Sequence, residues 1–292
     1  MRKGPHTVVV PATSANLGPG YDSLGIALGL ADEVTAEVTT SGFDVTVEGE
    51  GADTVAAGES HLVVVAMART VESLGSTLPG VKLYCRNRIP HARGLGSSSA
   101  AIVAGVYLAH AVTGIDIESD AALHKAAEIE GHPDNVAPCI YGWFTIAYSA
   151  SEGAEAVSLR AHPSVRTWAY VPSHTGLTAQ ARSALPHQVP HADAAFNVAR
   201  SALLVHALTA DPQRLWEATQ DRLHQSYRAT GMKASWELMR RLREAGYAAM
   251  ISGAGPTVLV MGAHGDPRVE VTKEFTCREL SISDGARLRL PS

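Results

Sequence analysis

The sequence has no apolar run approaching the roughly 18 residues a bilayer-spanning helix needs, so no membrane partner is expected. It has no stripe or run of lysine and arginine, and its formal net charge is −5. That balance argues against nucleic acid or a membrane surface as a partner. Cysteine is scarce: Cys85, Cys139 and Cys277 form no CxxC pair. An odd, scattered set suits a reducing, cytoplasmic compartment better than a disulfide framework. Thirteen histidines are present without an HExxH. His187 and His191 in HQVPH are flanked by prolines and lack a third ligand nearby, so no metal site is expected there. The basic-then-apolar start, MRKGPHTVVVPATSA, has only VVV as its apolar core before Pro11; it reads as a first strand and not as a signal peptide. Internal repeats, heptads and low-complexity tracts are also absent.

What is present is the composition of a soluble globular enzyme, 46% apolar and 18% charged. A chain of 292 residues accommodates one large domain or two medium ones. Residues 7–10, 33–39 and 43–49 are β-branched or alternating and predict strands, their close spacing suggesting an antiparallel start. Helical spacing of apolar residues predicts helices over 61–74, 98–112, 119–130, 193–209 and 232–245. Further strands are predicted at 81–89, 143–149 and 166–172, and the alternating tail from Cys277 is predicted to end as strands. Strands and helices mix without strict alternation, which gives an α+β class. The small, acidic stretch ASEGAEA after residue 149 marks a domain boundary, with domains over 1–155 and 156–292.

Three polar stretches interrupt this pattern. PHARGLGSSSA (90–100) joins a strand to an Ala- and Val-rich helix. A helix start leaves N–H groups unpaired and carries partial positive charge, so an anion is welcome there. The stretch is not a Walker A loop, which needs Gly-Lys-Ser/Thr, and it lacks the third glycine of a dinucleotide fingerprint. By itself it is either a phosphate cradle or a serine-capped helix packed on a sheet. PATSANLGPGYDSLG (11–25) sets Asn16 and Asp22 among Gly and Pro, where they either order a turn or bind a ligand. In EIEGHPDNVAP (128–138) two carboxylates end a helix, and His132, Asp134 and Asn135 follow in what reads as one tight turn before an apolar run. A buried polar cluster of that kind needs partners or a task.

Taken together these stretches resemble the GHMP kinases. RGLGSSSA matches the central signature with Ser99 in place of an alanine, and SGAGPT (252–257) matches the C-terminal one. PATSANLGPGYDSLG, GHPDNVAP, TAQARSALP, DAAFNVAR and DRLHQSYR are similar to the homoserine-phosphorylating branch, in order from residue 7 to about 260. The departures are Trp143, where a second glycine is usual, and Ser226, where a proline is usual; Trp143 is expected to narrow the space near the substrate loop.

The resemblance implies a two-domain α+β fold, with an N-terminal domain like domain 2 of ribosomal protein S5 and a ferredoxin-like C-terminal domain, and a cleft between them for ATP and substrate. It implies that the ATP triphosphate lies on Pro90, His91, Ala92, Arg93, Gly94, Leu95, Gly96, Ser97, Ser98, Ser99 and Ala100. Mg²⁺ would sit on Ser98 and a helical glutamate, Glu128 by preference and Glu130 as the alternative. L-homoserine would meet Asp22 with its ammonium, Asn16 and His132 by hydrogen bonds, and Arg182 and Arg228 with its carboxylate, a group the guanidinium fork suits. Asp134 would accept or orient the hydroxyl proton, with Asn135 and Thr178 positioning nearby groups. A homodimer is common among such proteins. The rival readings are a kinase for another small hydroxy amino acid and a non-catalytic nucleotide-binding homologue.

Overall fold

The computed structural model describes every residue except 177, 264, 266, 268, 270 and 290–292. The first half is built on β1 (His6–Ala15), β2 (Leu24–Val38), β3 (Gly42–Gly49), α1 (Leu62–Ser73), β4 (Gly80–Asn87), α2 (Ser97–Thr113), α3 (Ser119–Glu130), α4 (Pro133–Tyr141), β5 (Phe144–Ala150) and β6 (Gly153–Leu159). The second half adds β7 (Arg166–Pro172), α5 (Thr178–Ser183), α6 (His191–Thr209), α7 (Leu215–Ala218), α8 (Gln225–Arg228), α9 (Lys233–Glu244), β8 (Ala248–Ile251), β9 (Val258–Gly262), β10 (Phe275–Leu280) and β11 (Arg287–Leu288).

The first sheet runs β11-β1-β2-β4-β3, with β5 added on β2 and β6 on β5. β1 and β2 are antiparallel, as the spacing predicts. β3 does not continue that pattern: β4 lies between it and β2, and β3 pairs with β4 in parallel, Gly42 opposite Gly80 through Gly49 opposite Asn87. A parallel pair needs a crossover, and the amphipathic α1 supplies it. α2 is apolar nearly all round and is buried from Ser99 to Val112 except at one position. It packs against α1, α3, α4 and β1 as the central helix of the first layer.

β6 spans the expected division at 155–156 and pairs with β5 along its whole length, so the first sheet extends to Leu159. The second sheet, β10-β7-β9-β8, begins at Arg166. Successive residues of β7 and β9 point to opposite, buried faces of this sheet, while the edge strand β10 is exposed between its end residues. Trp168, Tyr170, Val258 and Val260 pack with Leu238, Met239 and Leu242 of α9, whereas Ala169, Val171, Leu259 and Met261 join the main core. The second sheet therefore has one face on α9 and the other on the main core, which includes residues of α6 and α7 as well as of the first half. After β10 the chain crosses back, and β11 pairs with β1. Among the described residues, no helix is long and apolar enough to cross a membrane.

Candidate active site

β4 ends at Asn87, and the chain enters the glycine turn held by a buried carboxylate. Asp32 of β2 is 5% exposed and accepts the N–H groups of Arg88 at 2.6 Å and Ile89 at 2.9 Å. Burial raises its pKa to about 6. The turn then makes two close approaches that only glycine allows. Gly94 and Gly96 have φ of 74° and 70°. A Cβ on Gly94 would overlap the Ser252 carbonyl, and one on Gly96 would overlap Thr13 Oγ1. α2 starts at Ser97, and its first ladder bond is Ala100 N–H to the Gly96 carbonyl. The N–H groups of Ser97, Ser98 and Ser99 thus fall outside the ladder, at the positive end of a long helix.

SGAGPT lies beneath this turn. Ser252 Oγ donates to the Gly94 carbonyl at 2.6 Å, Thr257 N–H to Arg93 O at 3.2 Å, and Gly253 N–H to Ala15 O at 2.9 Å. A cavity of about 650 Å³ opens over the turn, lined by His91, Ala92, Gly94, Gly96, Ser97, Ser98, Ser99 and Ala100. Three expected loop residues do not line it. Pro90 is buried, and the Leu95 side chain is in the core. Arg93 turns to the second sheet, donating to the carbonyls of Pro172 at 2.9 Å and Ser173 at 2.8 Å.

The two candidate glutamates separate cleanly. Glu130 Oε2 accepts from Ser98 Oγ at 3.0 Å and Oε1 from Ser99 Oγ at 2.7 Å, at the edge of the cavity. Glu128, preferred from sequence, faces outward and pairs with Lys125 at 3.0 Å, its side chain 57% exposed. Residues two apart on a helix point about 200° from each other, so one of the pair had to face solvent.

The stretch after Glu130 is not the tight turn predicted from sequence. Gly131 ends α3 with φ of 90°, and α4 starts at once with Pro133 in its first turn and His132 as N-cap. Proline is well suited to that position because no helical bond is lost. The helix carries Asp134, 1% exposed, to the cavity wall. Its Oδ1 accepts from His132 Nδ1 at 2.8 Å, while its buried Oδ2 has no partner among the described residues. That hydrogen bond, with the carboxylate's charge, raises the His132 pKa. Asn135 Oδ1 accepts from Thr13 Oγ1 at 2.9 Å and also lines the cavity. Thr178 begins α5, but its side chain is outside the described residues.

Asn16, His132, Arg182 and Arg228 also line the cavity, whereas Asp22 does not line it and lies behind Arg182, its ion-pair partner. Asn16 and Asp22 both have positive φ, 54° and 52°. Asn16 Oδ1 accepts the Asp22 N–H at 2.8 Å, so the loop is ordered by its own side chain. Asp22 is engaged by Arg182, which donates at 2.8 and 3.2 Å to its two oxygens. Arg228 differs. It is 2% exposed, and among the described residues its donors meet neutral acceptors: Ala181 O at 3.1 Å, Gly253 O at 3.2 Å and His224 Nδ1 at 3.2 Å. Among the described residues no carboxylate is within ion-pair distance of it, and burial lowers its pKa. Trp143 is elsewhere. Its ring is stacked under Arg160 at 3.6 Å and its Nε1 donates to Asp284 at 2.8 Å, so it does not narrow the cavity.

Sequence reasoning missed the other end of the cavity, lined by Thr54, Val55, His61, Leu62 and Asn87. His61 is 5% exposed, its Nδ1 has no partner among the described residues, and burial lowers its pKa. A donor or acceptor of that kind beside apolar side chains fits a flat heterocycle. The stretch 51–61 carries no motif, which is why it went unread.

Residues 61–143 match the N terminal domain of the GHMP kinases and residues 204–281 the C terminal domain. The homoserine kinase of Clavibacter michiganensis subsp. michiganensis is 49% identical over 97% of this chain and 90% of its own. That of Mycobacterium tuberculosis is 43% identical over 96% and 93%. Among solved structures, homoserine kinase from Cytophaga hutchinsonii superposes with a TM-score of 0.83 at 25% identity, covering 99% of this chain and 98% of that one. L. major mevalonate kinase has the same fold, with a TM-score of 0.72 at 13% identity over 97% of both chains. The glycine turn over a helix start, the SGAGPT turn beneath it and matches along nearly the whole length make this chain a member of the GHMP kinases, in their homoserine kinase branch.

Proposed function

We propose that the protein transfers the γ-phosphoryl group of ATP to the side-chain hydroxyl of L-homoserine, giving O-phospho-L-homoserine and ADP. The observation that carries the acceptor is Arg228: a buried cation among neutral acceptors calls for an anionic ligand, and a carboxylate is planar and bidentate like the guanidinium itself. Asp22 and Arg182 are paired with one another. A zwitterionic amino acid carries one charge to replace each partner, with its ammonium on Asp22 and its carboxylate shared by Arg182 and Arg228.

In this reading the N–H groups of the glycine turn and of Ser97–Ser99 take the phosphates, and the 51–62 end of the cavity takes the base. Glu130 and Ser98 offer hard oxygen donors that suit Mg²⁺, which commonly binds through one or two carboxylates and the substrate's own phosphates. When bound, that ion neutralises charge on the transferring group. Among the described residues no group of three or more acidic, histidine or cysteine side chains forms a dedicated metal cage.

The chain's task is then alignment. Asp134 Oδ2, unpartnered at the cavity wall, accepts the hydrogen bond of the acceptor hydroxyl and points its oxygen at the phosphates. His132 holds the other carboxylate oxygen and fixes the group's rotation. In a loose transition state the nucleophile needs little deprotonation, so orientation matters more than basicity. Closing contacts from both halves, such as Arg93 on Pro172, keep the cavity walls fixed while the phosphoryl group moves.

ADP release with Mg-ATP against L-homoserine, L-threonine, L-serine, mevalonate and galactose tests the proposal. Turnover confined to L-homoserine is expected. Faster turnover of another acceptor would overturn the assignment while leaving the kinase family intact.

A further inference from the structure

DRLHQSYR delivers Arg228 to the acceptor end of the cavity, yet the reaction as described makes no use of its histidine. His224 has no exposure to solvent, and both of its ring nitrogens are engaged. Nε2 lies 2.7 Å from the Gly18 carbonyl, and Nδ1 lies 3.2 Å from Arg228 Nη1. A guanidinium only donates, so Nδ1 is the acceptor, the ring hydrogen is on Nε2, and Nε2 donates to Gly18. One neutral tautomer satisfies both contacts, and a doubly protonated ring cannot.

The surroundings hold the ring in that form. Burial lowers its pKa; Asp221 opposes this from the preceding turn, and Arg228 and Asp22 are the other charged groups bearing on it. The Tyr21 ring is tilted against it with centroids 5.5 Å apart. Asp221 is itself tied down, accepting from Asn197 Nδ2 and from the N–H groups of Leu223, His224 and Gln225. The turn is therefore fixed before it reaches the histidine.

We propose that His224 is a positioning residue of the acceptor site. Its neutral imidazole holds the Arg228 guanidinium on one side and, on the other, the Gly18 carbonyl in the loop that carries Asn16 and Asp22. It thereby sets the separation between the cation that reads the carboxylate and the anion that reads the ammonium. The proposal rests on the acceptor reading above.

The test is steady-state ADP release by the wild type, His224→Ala, His224→Asn, His224→Gln, Arg228→Ala and the His224→Ala/Arg228→Ala double variant, with L-homoserine and Mg-ATP varied in turn. Losing a hydrogen bond to a charged group predicts that His224→Ala raises KM for L-homoserine by about 10-fold or more. KM for ATP and kcat are expected to stay within about three-fold. His224→Asn keeps an acceptor near the Nδ1 position and recovers most of the loss; His224→Gln, which reaches toward Gly18 instead, recovers less. In the double variant, His224→Ala adds less than about two-fold to Arg228→Ala, because the two act as one unit. Equal rises in both KM values, full multiplication in the double variant, or Asn no better than Gln would each overturn the assignment. If His224→Ala does not fold, the Asn and Gln variants alone decide it by the same comparison. A wild type that does not turn over L-homoserine overturns the acceptor reading and this assignment with it; a wild type that does, beside variants that fail these expectations, overturns this assignment alone.

Discussion

Glu128 and Glu130 occupy the last turn of α3, and only their direction distinguishes them. The sequence places both near a helix end, and periodicity says they face opposite ways. It does not say which way is inward, because that depends on how α3 packs on α2 and α4. The same limit applies to Arg228, whose motif was legible but whose lack of a counter-charge is a property of three segments meeting. Glycines 94 and 96 were readable for the opposite reason: their positive φ is a local demand. The serine contacts make a prediction at this scale. Glu130→Gln should raise the Mg²⁺ concentration needed for half-maximal ADP release by about 10-fold or more, the loss of a charged oxygen ligand. Glu128→Gln removes only an exposed pair with Lys125, worth at most about 1 kcal/mol, and should titrate like the wild type. A reversed pair of titrations would move the metal to Glu128.

At the scale of elements, α4 and β6 were the elements misread, and each for a physical reason. Gly131-His132-Pro133 has the look of a helix stop, but proline in a first turn also opens a helix, and here the stop of α3 is the start of α4. β6 is an edge strand of small and acidic residues, GAEAVSL, whose partner β5 supplies the pairing that its own composition does not advertise. The strand order β2-β4-β3 was hidden because only the crossover through α1 sets it. The glycine turn shows how such elements are joined, since Asp32 of β2 fixes its first two N–H groups at a cost. The Asp32 pKa is about 6 in the folded chain against an ordinary 3.8. Between those values the folded chain keeps a proton that the unfolded chain has released, so stability falls as pH rises through the window. Above about pH 6 the full penalty is present, on the order of 2–3 kcal/mol. Asp32→Asn still accepts both N–H groups but does not titrate. Its unfolding free energy relative to the wild type should therefore climb between about pH 4 and 6 and then level off. A pH-independent difference in urea unfolding across that range would show that Asp32 is not held at a raised pKa.

At the scale of the molecule, the last residues of the described chain add a strap between the halves, beside the bonds that Arg93, Ser252 and Gly253 already make between them. After β10 the chain leaves the second sheet and lies along the first, bridging Leu28 with Ile282 and Gly142 with Asp284. Gly29 N–H donates to Ser281 O at 2.7 Å, Trp143 N–H to Ser283 O at 2.8 Å, Ala286 N–H to Cys139 O at 2.7 Å and Arg289 N–H to Thr7 O at 2.8 Å. Two of those partners, Cys139 and Trp143, flank the end of α4, the helix whose first turn carries Asp134. The alternating tail was legible as strand, but its return to β1 was not, since nothing in a two-residue strand names its partner. Trp143 belongs to the same strap: its indole donates to Asp284 and stacks with Arg160, so its bulk serves the joint and not the cavity wall. Net backbone hydrogen bonds of about 1 kcal/mol each put the strap at several kcal/mol. A domain of roughly 150–250 residues loses about 2–4 °C of Tm per kcal/mol. A chain ending at Leu280 should accordingly melt about 10 °C or more below the full chain by circular dichroism. Arg289→Ala, which loses only a pair with Glu33 that is more than half exposed on the arginine side, should melt within about 2–4 °C of it. Equal melting of the shortened and full chains would mean that the packing of the second sheet against the main core joins the halves unaided, and that the strap contributes only to the placement of α4.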